Sequence, residues 1–295
     1  MRIFLTGATG FIGQALVSEL RQAGHEVIGM TRSEAGAQAL ARLGARAHWA
    51  TLDDLPALRQ GAAGADAVIH AAFGHDFSRF VESCEADERV VGALGAELAG
   101  SERPLIVTSG TGMGLPEEGG PAIESVFNKE HPNPRRATEL KVDALLREGI
   151  NVSVVRLPQV HNPLRQGLVT PLVEVARDKR VVAYVGEGRN RWPAGHLSDV
   201  VRLFRLAVEA GERGARYHAV GETGITLREI AEALGRNMRL PVVSLAPADA
   251  AAHFGWCAMF AAMDMPASSA WTQARLNWRP SGPGLIEDLD QGRFF

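Results

Sequence analysis

Three glycines at three-residue spacing stand near the N-terminus in Thr6-Gly7-Ala8-Thr9-Gly10-Phe11-Ile12-Gly13. Such a run binds phosphate when a strand feeds it and a helix leaves it. Gly7 then permits the tight turn, Gly10 lets backbone approach a pyrophosphate, and Gly13 allows the helix to pack closely on the strand. The helix N-terminus adds free N–H groups and the positive end of its dipole. The flanking pattern meets this condition: residues 2–6 read as a strand, and Ile12, Ala15, Leu16 and Leu20 recur at helical spacing.

The second strand ends before Thr31-Arg32-Ser33. A dinucleotide site selective for NAD places Asp or Glu here to hold the ribose 2′-hydroxyl. Thr31 cannot accept two hydroxyls as a carboxylate would, whereas Arg32 and Ser33 supply donors for a 2′-phosphate. The residues therefore predict NADP, with NAD as the alternative.

Reduction or oxidation with such a cofactor needs a proton donor or an electrophilic hydrogen bond at the reacting oxygen. Five side chains are candidates. His75 sits just past the fourth strand, beside Asp76, for which a helix cap is the simpler account. Ser109 and Thr111 follow the fifth strand and suit either carbonyl orientation or turn formation. Lys141 suits the nicotinamide ribose or a solvated helix face. His161 titrates near neutrality and either acts as donor, contacts substrate or packs. Near His196 and Asp199, Ser198 or Asp199 acting as an N-terminal helix cap is the simpler account.

The elements that would position these residues alternate from the start. Strands at 2–6, 26–30, 46–49, 67–71, 105–108 and 152–156 are separated by helical patterns at 11–23, 34–43, 55–61, 77–99 and 134–148. That rhythm specifies an α/β, doubly wound parallel sheet whose ligands lie at the C-terminal strand edge. Beyond Arg156 it loosens, with 189–196 irregular. Residues 1–160 are expected to form the dinucleotide-binding core, rejoined by 197–222. Residues 161–196 and 223–295 would form a smaller substrate lobe.

Composition removes other classes. With 31 Lys+Arg against 34 Asp+Glu in 295 residues, the net charge of -3 offers no basic field for nucleic acid or anionic membrane. No apolar run reaches the ~18 residues of a transmembrane helix. Arg2-Ile3-Phe4-Leu5 runs into a Gly-rich turn instead of a signal-peptide cleavage site, so a cytoplasmic location is expected. Two cysteines, Cys84 and Cys257, make neither a disulfide framework nor a four-thiolate zinc site. The nine histidines show no H-x-x-x-H spacing and no G-x-S-x-G elbow exists, so no metal is predicted. The cluster around His253-Phe254-Gly255-Trp256 and Met259-Phe260 reads as core, substrate wall or a homodimer patch.

In these motifs the chain resembles the extended or atypical short-chain dehydrogenase/reductases, the NAD-dependent epimerase/dehydratase-like superfamily. The resembling residues are 6–13, Val68-Ile69-His70-Ala71-Ala72-Phe73, Val107-Thr108-Ser109-Gly110, Arg156-Leu157-Pro158 and 192–199, about the first two-thirds of the chain. The resemblance implies a Rossmann core and a C-terminal substrate lobe. It further implies cofactor contacts from Thr6, Gly7, Thr9, Gly10, Phe11, Ile12 and Gly13, and from Thr31, Arg32 and Ser33. Thr51 and Leu52 would lie near adenine, where the family carries Asp. Ala71, Ala72, Phe73 and Thr108 would also contact the cofactor.

One departure bears on mechanism. The family's acid is a Tyr four residues before a Lys, yet Tyr184 and Tyr217 are followed at that spacing by Gly188 and Gly221. Aligning Lys141 with the family Lys puts Ala137 at the Tyr. The Ser position falls at Gly110 or Thr111. In extended relatives the stretch after strand six reads R-x-x-x-V-Y-G-P, so His161 replaces a Tyr there, in a loop expected to face the cleft, and is the favoured donor. The resulting expectation is an NADP-dependent oxidoreductase acting on a small carbonyl or alcohol without a tyrosinate. The alternatives are a catalytically silent, NADP-sensing regulatory protein and a nucleotide-dependent epimerase or dehydratase.

Overall fold

The computed structural model describes residues 1–74 and 79–292, so the expectations for His75 and Asp76 lie outside the described residues. Thirteen described strands run β1 Arg2–Thr6, β2 Glu26–Thr31, β3 Arg46–Trp49, β4 Ala67–His70, β5 Leu105–Gly110, β6 Val152–Leu157, β7 Gln159–Asn162, β8 Arg165–Gln166, β9 Val182–Val185, β10 Arg191–His196, β11 Arg216–His218, β12 Glu222–Thr226 and β13 Val242–Leu245. The described helices are α1 Phe11–Gln22, α2 Glu34–Arg42, α3 Leu55–Ala63, α4 Phe80–Glu97, α5 Arg136–Arg147, α6 Val169–Lys179, α7 Leu197–Ala210, α8 Leu227–Met238, α9 Ala250–Phe254, α10 Ala258–Ala262, α11 Ala270–Leu276 and α12 Leu285–Gln291.

Seven strands form one parallel sheet in the order β11-β6-β5-β4-β1-β2-β3. Parallel sheets are covered on both faces, which is why β1 carries Ile3, Phe4 and Leu5 in unbroken, fully buried sequence. Strand alternation divides these residues. Ile3 and Leu5 pack with Leu16 and Leu20 of α1, Leu40 of α2 and Phe204 of α7. Phe4 packs with Leu58 of α3, Val90 and Leu94 of α4 and Leu145 of α5. The sheet reverses its winding beside β1 and β4, the place where doubly wound folds take ligands.

The second lobe holds a four-stranded sheet, β12-β10-β7-β8, and the parallel pair β13-β9. Its core gathers Trp192, Ile230, Leu234, Phe254 and Leu289. Two sequence expectations are corrected here. Residues 189–196 contain the strand β10 despite Pro193, because the register with β12 slips between Trp192 and Ala194, at the one residue without a ladder N–H. His161 sits on β7, paired in parallel with β10, not in a loop. Residues 216–218 join the edge of the main sheet beside β6, and α7 lies against α1. No described helix is long and apolar enough to cross a membrane.

Candidate cofactor and reaction site

The turn from β1 to α1 is built for close approach. Gly7 has φ +70°, and an added Cβ there would stand 2.8 Å from the backbone of Ala71 and Ala72. A Cβ on Gly13 would lie 1.9 Å from the Gly7 carbonyl oxygen. Gly10 donates to that same oxygen at 3.0 Å. No side chain caps α1 and no acidic residue enters its first turn, so its terminal N–H groups and dipole are left for an external anion. The donors and the missing side chains together fit a pyrophosphate.

Thr6 contributes differently from the expectation. Its fully buried hydroxyl accepts from the amides of Ala71 (3.1 Å) and Ala72 (3.2 Å), which leaves its proton for His70 Nδ1 at 2.7 Å. It therefore fastens the turn to β4 and has no capacity left for a phosphate.

After β2, the Thr31 hydroxyl is buried and tied to the backbone of Ser33, and the Ser33 hydroxyl caps α2 by accepting from Gly36. Thr31 thus spends its hydroxyl on shaping the turn, whereas Ser33 accepts through its oxygen and keeps its O–H to donate. Arg32 is exposed and makes no hydrogen bond or ion pair among the described residues. Past β3, Thr51 is exposed and Leu52 half-buried on the same strand edge.

The edge of β4 and β5 carries a buried polar chain. His70 Nε2 donates to Asp87 of α4 at 3.0 Å, which fixes the tautomer because Nδ1 already accepts from Thr6. Asp87 also accepts from Thr138 at 2.6 Å and pairs with Arg135 at 2.7 Å. Burial pushes the Asp87 pKa up, but Arg135, His70 and Thr138 outweigh it and hold the carboxyl below its ordinary range. Arg135 reaches the carbonyl of Thr108 at 2.9 Å and lies 3.9 Å over the Phe73 ring. The Thr108 hydroxyl donates to the His70 carbonyl.

One turn further along α5, Glu139 is bound bidentately by Arg156 of β6, at 2.8 and 2.7 Å, and by Arg216 of β11 at 3.0 Å. Burial opposes ionisation of Glu139, and the two guanidinium groups overcome it. Ser109 is buried beside this carboxylate without a well-formed hydrogen bond of its own. Arg156 also donates to His218 Nε2 at 3.2 Å. Burial, and then that cation, push the His218 pKa down to about 4.

Arg135, which caps α5, and Glu139 within it are therefore a four-apart pair turned toward the ends of β5 and β6. Lys141, expected at the ribose, instead pairs with Glu88 of α4 at 3.4 Å in a groove with Leu55 and Arg89. Two residues correspond to about 200° around a helix, which takes Lys141 to the other side.

His161 is also corrected as a cleft-facing donor. It is fully buried, its Nδ1 is 2.6 Å from Asp288 of α12, and its Nε2 has no hydrogen-bond partner. Burial lowers its pKa against the opposing pull of Asp288. His196 caps α7 by accepting from Ser198, in place of the expected Ser198 or Asp199. Thr111 begins a buried turn of 3-10 helix directly after β5. His131 escaped sequence reasoning. Its Nδ1 accepts from Asn133 and its Nε2 faces Gly112, 3.9 Å from where a Cβ would be. Tyr217 is buried against Trp271, with its pKa raised by burial and Glu212, and Tyr184 lies on β9 of the second lobe. Both cysteines are buried thiols pushed up by desolvation to about 11.

Similarity to known proteins agrees with this architecture. The model of the NAD dependent epimerase/dehydratase family matches residues 3–220. An uncharacterised protein of Schizosaccharomyces pombe is 43% identical over 296 residues, 100% of either chain. The 4-hydroxy-2-methyl-3-oxo-4-farnesyl-3,4-dihydroquinoline-1-oxide ketoreductase of Stigmatella aurantiaca is 27% identical over 276 residues, 86% of this chain and 80% of that one. A dTDP-glucose 4,6-dehydratase from Streptomyces venezuelae, solved with NAD bound, matches with a TM-score of 0.77 at 20% identity. That match covers 99% of this chain and 96% of the other, and it shows the shared fold. With more than two-thirds of its length matched in the family's order, this chain belongs to the NAD dependent epimerase/dehydratase family.

Proposed function

We propose that the protein is an NADP(H)-dependent oxidoreductase that interconverts a small carbonyl compound and its alcohol without a Tyr-x-x-x-Lys acid. The observation that carries this reading is the uncapped N-terminus of α1 under a glycine turn, with the unpartnered Arg32 at the end of the neighbouring strand. The turn suits the pyrophosphate and Arg32 suits a 2′-phosphate, while an acidic residue that would repel that phosphate is absent at 31–33. The ketoreductase relative supports the carbonyl class. When bound, the dinucleotide supplies or takes up the hydride. The chain binds the two phosphate groups and presents hydroxyls and cations at the strand edge.

A silent, NADP-sensing protein is the second reading, favoured by one observation: Arg135 and Glu139 are both engaged in ion pairs. Fluorescence titration with NADPH and NADH, followed by NADPH consumption over a panel of aldehydes and ketones, tests both. Tighter NADPH binding with turnover supports the oxidoreductase. Binding with no turnover supports the sensor, and no binding of either dinucleotide sinks both readings.

A further inference from the structure

We propose that Arg135 is the group that receives the substrate's carbonyl oxygen in this chain. The proposal rests on the oxidoreductase reading. Arg135 stands at the start of α5 with its guanidinium anchored to the ends of two neighbouring strands. It donates to the Thr108 carbonyl of β5 and lies over Phe73, three residues past β4. One amino group, Nη1, is occupied by Asp87 and Thr138, and one Nη2 proton by Thr108. The guanidinium has five N–H donors. Among the described residues, the Nε–H and the second Nη2–H meet no acceptor, and the side chain keeps 11% exposure. Two donors are thus left open at the strand edge, where doubly wound folds take their ligands.

Three fixed partners and an aromatic face hold the fork in place before any ligand arrives, so no reorganisation is needed as charge develops. Asp87 balances the Arg135 cation, and a resident carboxylate would bring an unbalanced charge into a buried pair. A carbonyl oxygen is neutral on binding and negative only as it is reduced, so its attraction to the fork grows toward the transition state. The atoms balance as follows. The carbonyl carbon gains a hydride from the reduced dinucleotide, the C=O π pair moves to oxygen, the Arg135 donors hold the oxyanion, and water delivers the proton. Arginine keeps its own protons at every accessible pH.

The test uses the full chain with NADPH and isatin, a compact cyclic ketone, as probe. Variants are Arg135→Lys, which keeps the charge and loses the fork, and the double change Arg135→Gln with Asp87→Asn, which removes both buried charges together. Thermal melts establish folding. The expected result is NADPH affinity within about threefold of the unmodified chain, with isatin turnover lower by about 10²–10³-fold in both variants, the usual loss for one oxyanion donor. The unmodified rate should lack an alkaline limb between pH 6 and 9, as a donor that does not titrate requires. Turnover within tenfold of the unmodified chain overturns the proposal, as does loss of NADPH binding in parallel with rate. NADPH binding without any response to isatin in the unmodified chain overturns it too and leaves the dinucleotide reading standing. Failure to bind NADPH is the separate failure of that reading.

Discussion

Asp288 Oδ2 lies 2.6 Å from His161 Nδ1, and both side chains are fully enclosed. The contact ties α12, near the end of the described chain, to a strand 127 residues earlier. It turns a histidine that looks catalytic in sequence into a fastening between the second lobe's sheet and its last helix.

Breaking that fastening should cost stability. Asp288→Ala leaves a buried imidazole N–H without its acceptor, a loss of about 1–3 kcal/mol before any cavity is counted. The urea midpoint should fall accordingly, and Asp288→Asn, which can still accept, should recover part of it. An unchanged midpoint in Asp288→Ala would sink this account.

Acid should weaken the fold, beginning near neutrality. His218 donates from Nδ1 to the Ser268 carbonyl and accepts from Arg156 at Nε2, so a second proton would face a guanidinium. Its folded-state value of about 4 is below the ordinary 6.5, so the unfolded chain binds the proton first. Stability is full above about pH 6.5 and declines toward pH 4, by about 3 kcal/mol from this residue. His161, lowered by burial, acts in the same direction. Denaturant melts at pH 7.5 and 5 measure the decline, which His218→Gln should reduce. Equal stability at both values would refute it.

Gly13→Ala should weaken dinucleotide binding and lower stability. Its Cβ would overlap the Gly7 carbonyl at 1.9 Å, and both partners are backbone, so relief requires moving α1 off β1. The expected cost is about 1–3 kcal/mol of overpacking. Gly24→Ala, at a positive-φ turn with open space for a Cβ, serves as the control for a merely strained glycine. Unaltered NADPH binding in Gly13→Ala would be incompatible with this geometry.

Arg32→Ala should weaken NADPH binding by about 1–3 kcal/mol, the scale of a charge-assisted bond, and leave NADH nearly unchanged. Ser33→Ala should act mainly through α2, whose cap it supplies, at about 1 kcal/mol of stability. Calorimetric titration with both dinucleotides separates the two effects. Identical losses for NADPH and NADH in Arg32→Ala would argue against 2′-phosphate recognition.

The sequence alone determined the features encoded by near neighbours. The phosphate turn is legible because three glycines, a preceding apolar strand and a following helical period all fall within some twenty residues, and each has a backbone reason. The order of the six strands follows from the same local alternation. Arg32 is legible by its position after β2. The remaining site was settled by contacts no local pattern records. Thr6, His70, Asp87, Arg135 and Thr138 come from β1, β4, α4 and the start of α5, and they meet only because a parallel sheet brings distant strand ends together. Lys141 matches the family spacing in the sequence, yet helix phase turns it toward Glu88 and gives the sheet edge to Arg135 and Glu139. His161 carries the titratable chemistry of a donor, and burial beside Asp288 removes it from the cleft. A residue's type announces what it can do; which neighbours it keeps, and whether water or substrate reaches it, is decided by packing between segments far apart in the chain.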